Sequence, residues 1–200
     1  MTYTLDAFVS DTQAVLRADT GPGGRQKVRV LLEKLLAEKK FVDEAVGPAA
    51  PIGTRKLYED MDLGFVVLAH CNPKPHRSPP HDHGASWAVY GQAVSYTDMS
   101  EYRRLDGGDG AGEATLEKVR SYRLEPGQAG VYDVGAIHAI DYPEGSRFVR
   151  VTGRDLDYVR RLKFDMAAGK AIQSQSCTRR LRSPWRTNGD VLINSLGRIL

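Results

Sequence analysis

Between residues 63 and 153 the chain passes through six short runs rich in Val, Ile, Tyr and Phe, with no helix-length pattern between them. They are LGFVVLAH (63–70), SWAVYGQAVSY (86–96), TLEKVRSYRL (115–124), AGVYDV (129–134), IHAIDY (137–142) and SRFVRVTG (146–153), each bounded by Gly, Pro or Asp. Parallel neighbours need long crossover connections, and the chain has no room for them here. Strands at this spacing therefore predict an antiparallel sandwich or barrel. DGGDGAGE (106–113) reads as a flexible hairpin loop between two of them, and the charge alternation in LEKVRSYRL suits a strand with one wet face.

The first fifty residues have a different texture. Leu5, Phe8, Val9 and Leu16 recur at helical spacing, and Thr4 or Asp6 can cap the start. ADTGPGG (18–24) breaks that helix, after which Val28, Leu31, Leu32, Leu35 and Leu36 form a second apolar stripe. VGPAAPIG (46–53) ends the helical part. The expected organisation is a helical segment over 1–53 packed on a barrel over 54–164, with an extension over 165–200. LDYVRRLKF (156–164) fits either a strand or a helix, and the chain from Asp165 onward reads as polar and irregular.

Composition narrows the function classes. A formal charge of +3 on 200 residues gives no reason to expect a nucleic-acid or membrane partner. The basic residues Lys170, Arg179, Arg180, Arg182 and Arg186 lack interleaved aromatics and read as a solvated surface or a subunit contact. No run approaches the roughly 18 apolar residues of a membrane span. The N-terminus has neither the basic start nor the apolar core of a signal peptide. Cys71 and Cys177 make no disulfide framework, which suits a reducing cytoplasm. The expectation is a cytoplasmic monomer or homodimer acting on a small molecule.

Two of the chain's five histidines stand one residue apart in SPPHDHG. On extended backbone, residues i and i+2 face the same side, so His81 and His83 point together. A third imidazole would complete a metal site with coordination positions left open, and His70, His76 and His138 are the candidates. His138 follows a glycine-punctuated stretch, EPGQAGVYDVGAIH, and begins a strand.

These motifs resemble those of the cupins, small double-stranded β-helix barrels of the jelly-roll kind. The first cupin motif supplies H-x-H and then a glutamate four or five residues on; the second is G-x5-P-x-G-x2-H. Gly127, Gly135 and His138 fit the second, with Asp133 where proline is usual. His81 and His83 fit the first, but Trp87 and Ala88 occupy the glutamate positions. The resemblance implies a barrel whose metal ligands are His81, His83 and His138.

Three neutral imidazoles leave a divalent ion its full charge, which favours an anionic substrate beside dioxygen. Among cupins, absence of that glutamate resembles the thiol dioxygenases, and GTRKLYEDMDLGFVVLAHCNPKPHRSPPHDHG resembles the cysteine dioxygenase segment that runs from a substrate-gripping arginine to HDH. The resemblance implies Fe(II) as cofactor, O2 as co-substrate, and Arg55 as the carboxylate anchor, a role that suits a guanidinium fork. Trp87, Tyr90 and Arg150 are the further candidates for substrate contact, with one of Trp87 and Tyr90 lining the pocket because they face opposite sides of a regular strand. Tyr132 and Tyr142 flank His138 and read as core residues, as does His70 where it is not at the surface; His76 reads as a solvated loop residue.

The pattern departs from that family in two further places. Ala88 stands near the position of the crosslinking cysteine of mammalian-type enzymes, and no Ser-His-Tyr set follows His138. SRFVRVTGRD offers Arg147, Arg150 and Arg154 instead, which could receive a second carboxylate. The leading expectation is a dioxygenase that converts a small thiol acid to its sulfinate. The rivals are a cupin dioxygenase cleaving carbon–carbon bonds of a diketone or enolate, and a non-catalytic barrel that binds a small acid.

Overall fold

The computed structural model describes residues 2–174; Cys177 and the arginines at 179, 180, 182 and 186 lie outside them. Three helices come first: α1 (Leu5–Ala18), α2 (Pro22–Leu36) and α3 (Lys39–Val46). Thr4 caps α1, its hydroxyl accepting from the Ala7 N–H at 3.2 Å. Pro22 opens α2, where a missing N–H costs nothing. The stripe of Val28, Leu32, Leu35 and Leu36 is buried as the periodicity predicts.

The strands are β1 (Gly53–Glu59), β2 (Val66–Cys71), β3 (His76–Arg77), β4 (Ala88–Val94), β5 (Thr97–Arg104), β6 (Gly112–Glu113), β7 (Leu116–Leu124), β8 (Ala129–Tyr132), β9 (Ile137–Tyr142), β10 (Arg147–Thr152), β11 (Arg161–Asp165) and β12 (Lys170–Ser174). One sheet has the order β1-β2-β10-β4-β8, a second β3-β9-β5-β7, and β11-β12-β6 forms a small third sheet, with every pairing antiparallel. Apart from the pairs β1–β2 and β5–β7, which stay within one sheet, successive strands of the first two sheets alternate between them, β2 then β3, β4 then β5, β7 then β8, β9 then β10. That alternation winds the chain into a double-stranded β-helix, the fold class expected from the sequence.

Strand parity divides the first sheet into two faces. Val67, Ala69, Val89, Val149 and Val151 face the helices and share a core with Phe8, Val28, Leu32 and Leu35. Ala88, Tyr90, Tyr132 and Phe148 face the barrel interior with Met99, Leu124, Ile140 and Tyr142 from the second sheet. A fully buried leucine such as Leu32 contributes about 2 kcal/mol of hydrophobic stabilisation. Gly91 allows α2 to lie this close: a Cβ there would stand 2.6 Å from Leu36 Cδ1 and 2.7 Å from Leu32 Cδ2.

Several elements differ from the sequence expectation, among them β1, β3 and β6, which are strands in stretches not read as extended. The run over 86–96 ends at Val94, and Ser95, with φ of 62°, turns the chain into β5. β5 was hidden by its polar residues, which pair with β7 through contacts such as Arg123–Asp98 at 2.7 Å. The ambiguous stretch over 156–164 is a 3-10 turn (Leu156–Tyr158) followed by β11, and the chain after Asp165 is not irregular throughout, because β12 pairs with β11.

Candidate metal centre

His81, His83 and His138 converge, with one potential ligand atom from each all within 4.8 Å of one another. Backbone pairing sets this arrangement. His81 and His138 exchange both N–H···O bonds, each at 2.9 Å, as an isolated antiparallel bridge. Asp82, between the two histidines, turns the other way: its carboxylate accepts from the Leu162 N–H at 2.8 Å and the Gly84 N–H at 3.0 Å. Its own N–H donates to Leu162 O, and the Phe164 N–H donates to Pro80 O, so β11 is fastened along the histidine loop. Gly84 has φ of 55°, and a Cβ there would overlap the Arg160 carbonyl, so only glycine lets the two segments dock.

The ring environments suit a metal. Both nitrogens of His138 are buried, and apart from a weak interaction with the Ala136 backbone neither has a partner among the described residues. A buried imidazole with neither nitrogen satisfied is costly unless something binds it. His81 Nδ1 lies 3.0 Å from Pro79 O, a contact that fixes Nδ1 as the protonated nitrogen and leaves Nε2 free to ligate. Burial holds His83 and His138 well below the usual histidine range, reinforced by the neighbouring histidines and Arg150. Burial lowers His81 as well, against an opposing contribution from Pro79 O. All three are therefore neutral at pH 7, the protonation state that metal ligation requires.

Around the trio the structure sorts the other candidates by strand parity. Tyr90 faces the barrel, its hydroxyl 3.4 Å from His83 Nε2, and accepts from Arg150 Nη1 at 3.3 Å. Trp87 faces the opposite way, into the helix-side core, and is removed from the substrate-contact set. Arg55 is likewise corrected: it points to the helices, where Nη2 donates to the Ala45 carbonyl at the end of α3. Arg147 does the same with Val46 O and Gly47 O, while Arg154 is exposed. The Tyr132 ring lies 4.3 Å from that of His138, and its hydroxyl bonds Tyr122 at 2.7 Å. Tyr142 is a core residue. His76 is exposed on β3. His70 is inside the barrel, stacked on Phe148 at 4.5 Å with Nδ1 bonded to Thr54.

Sequence reasoning missed Arg161. It opens β11 beside the histidine loop and depresses the His81 and His83 pKa values, as Arg150 does. The available signal was the alternation in RLKFD, where Leu162 and Phe164 share one face and Arg161 falls on the other.

No family model matches the chain, and no curated protein matches it. Solved structures do show a likeness to the barrel. The cupin domain of Schizosaccharomyces pombe Cnp3 aligns over 54% of this chain and 66% of its own, at 9% identity and a TM-score of 0.41. KdgF from Halomonas sp. aligns over 53% of this chain and 83% of its own, at 13% identity and 0.40. The hydroquinone 1,2-dioxygenase PnpCD, solved with Cd2+ and 4-hydroxybenzonitrile, aligns over 53% and 66%, at 14% identity and 0.39. The fold is a double-stranded β-helix barrel. That assignment rests on the alternation of strands between two antiparallel sheets, with helices added at the N-terminal side. No helix among the described residues is long and apolar enough to cross a membrane.

Proposed function

We propose that the protein is a mononuclear non-haem iron dioxygenase that oxidises a small thiol acid to its sulfinate. The observation that carries this reading is the all-histidine trio, neutral and partly unpartnered, with the Arg150 guanidinium linked to it through the Tyr90 hydroxyl. His81, His83 and His138 would hold Fe(II), with no carboxylate in the set to reduce its charge. A bound Fe(II) would supply the redox centre at which dioxygen and the substrate thiolate react, both oxygen atoms going to sulfur.

The chain's own residues bind and orient. Arg150 receives the substrate carboxylate, a role its fork of N–H donors suits, and one that Arg55 cannot take from the helix side of the sheet. Holding the acid end in this way leaves the sulfur end directed at the histidines, which lowers the entropic part of the barrier. Tyr90 lies between Arg150 and His83 and accepts from Arg150, which leaves its hydroxyl hydrogen to be donated to a bound substrate. Phe148, Tyr132 and Tyr142 line the interior and exclude bulk water.

Protein reconstituted anaerobically with Fe(II) should retain iron through gel filtration and take up oxygen with 3-mercaptopropionate or cysteine, yielding a sulfinate. His81→Ala should lose the iron. Iron retention unchanged in His81→Ala would remove the site assignment. Oxygen uptake with diketones but not with thiols would replace the substrate class.

A further inference from the structure

Between β10 and the 3-10 turn with β11 lies a cavity of about 420 Å³ lined in part by Thr54, Lys56, Arg150, Asp155, Asp157 and Arg161, and linked to the trio through the contacts of Arg150 with Tyr90 and of Tyr90 with His83. Its charges are not equally engaged. Lys56 Nζ is bonded to Asp155 at 2.8 Å and to Glu59 at 2.6 Å, so that cation is already satisfied. Asp157 is exposed at the rim. Arg150 donates one hydrogen bond, to Tyr90, and the Arg161 side chain has no acceptor among the described residues. Neither guanidinium is hydrogen-bonded to a carboxylate among those residues, although the Asp155 carboxylate is close enough to Arg150 for the two charges to attract, and the Nε atoms of both arginines are buried without a partner.

Buried guanidinium N–H groups cost free energy when unpaired, and two such groups on one cavity also repel each other. A single carboxylate accepts about four hydrogen bonds, whereas two guanidiniums present about ten N–H donors. One acid group therefore leaves most of these donors idle.

We infer that this cavity is built for a small diacid: one carboxylate on Arg150 and a second on Arg161. The inference rests on the thiol-acid reading for the chemistry at sulfur, and on the cavity alone for the second acid group. Under both, the substrate is a thiol dicarboxylate whose sulfur faces the histidines. Arg161 is then the residue that distinguishes diacids from monoacids. It reaches the site because Asp82 and Gly84 fasten the start of β11 to the histidine loop.

The test uses metal-free protein, so that it does not depend on iron chemistry. Calorimetric titration with succinate and with butyrate, which has a methyl group in place of the second carboxylate, should show succinate binding at least about tenfold more tightly, a difference of about 1.4 kcal/mol. Arg161→Gln should abolish that preference while Fe(II) uptake is unchanged, and Arg161→Lys, which keeps the charge, should restore part of it. Equal binding of the two acids, no binding of either, or a preference that survives in Arg161→Gln would overturn the diacid assignment. With iron, mercaptosuccinate should exceed 3-mercaptopropionate in kcat/KM by a similar factor. A retained succinate preference with no oxygen uptake on either thiol would sink the dioxygenase reading and leave the cavity assignment standing.

Discussion

The two faces of the five-stranded sheet carry arginines that do opposite work. On the helix side, Arg55 from β1 and Arg147 from β10 donate to the last carbonyls of α3, at Ala45, Val46 and Gly47. These carbonyls lack intrahelical donors and carry the negative end of the helix dipole, so a guanidinium there is stabilising. On the barrel side, Arg150, three residues after Arg147 on the same strand, reaches Tyr90 and the histidines, and Arg161 joins it from β11. The helix-side pair ends on backbone carbonyls, whereas on the barrel side Arg150 has only the Tyr90 hydroxyl and Arg161 has no side-chain acceptor among the described residues. An arginine's chemistry is the same on either face; what differs is whether the fold supplies its acceptor or leaves that to a ligand.

The comparison can be broken most directly at Arg150. Arg150→Gln should lower kcat/KM for a thiol acid about 100-fold, as expected for losing a charge-assisted contact of about 3 kcal/mol, without changing iron content. Steady-state oxygen uptake alongside metal analysis checks both halves, and a loss confined to iron content would place Arg150 in the metal's support instead.

The converse holds on the helix side. Arg55→Gln and Arg147→Gln should each destabilise the fold by about 1–2 kcal/mol in urea unfolding and leave kcat/KM within error of the parent. A fall in kcat/KM at unchanged stability in Arg55→Gln would reinstate it as the substrate anchor.

Gly91→Ala probes the close approach that keeps the helical layer on its face. Because the obstructing atoms are the ends of Leu32 and Leu36, the side chains can shift, and a cost of about 1.5 kcal/mol in thermal unfolding is expected, with iron uptake unaffected.

The smallest effect concerns how the helices are tied to the sheet. Asp60, just past β1, accepts from Gln13 of α1, Tyr58, and the Asp62 and Leu63 N–H groups. Burial raises its pKa, but these hydrogen bonds outweigh burial and the net shift is downward from 3.8. A carboxyl lowered on folding stabilises the fold above its unfolded pKa, and the contribution disappears as pH falls from there through the folded value. Acid unfolding curves should therefore lose about 1 kcal/mol across that window, and Asp60→Asn should flatten that part of the curve.

Much of this was readable from the residues. The alternating β-rich runs specified an antiparallel barrel, and the apolar stripe of α2 specified a helix with one buried face, because both signals are local periodicities. The spacing of His81, His83 and His138 pointed to a common site. β5 was not readable, since its polar residues carry no apolar alternation and are matched only by partners across the hairpin on β7. Nor was Arg161, whose position depends on Asp82 and Leu162 bonding across 80 residues of sequence.

What the residues alone established, then, is the kind of barrel and the three imidazoles that meet in it. Which arginines attend them followed from tertiary packing. Strand alternation says that Arg147 and Arg150 lie on opposite faces, and Trp87 and Tyr90 likewise, but not which face is inward. That assignment belongs to the helices: once α2 and α3 cover one side of the sheet, Arg55, Arg147 and Trp87 are committed to it. Tyr90 and Arg150 are then left on the side of the histidines.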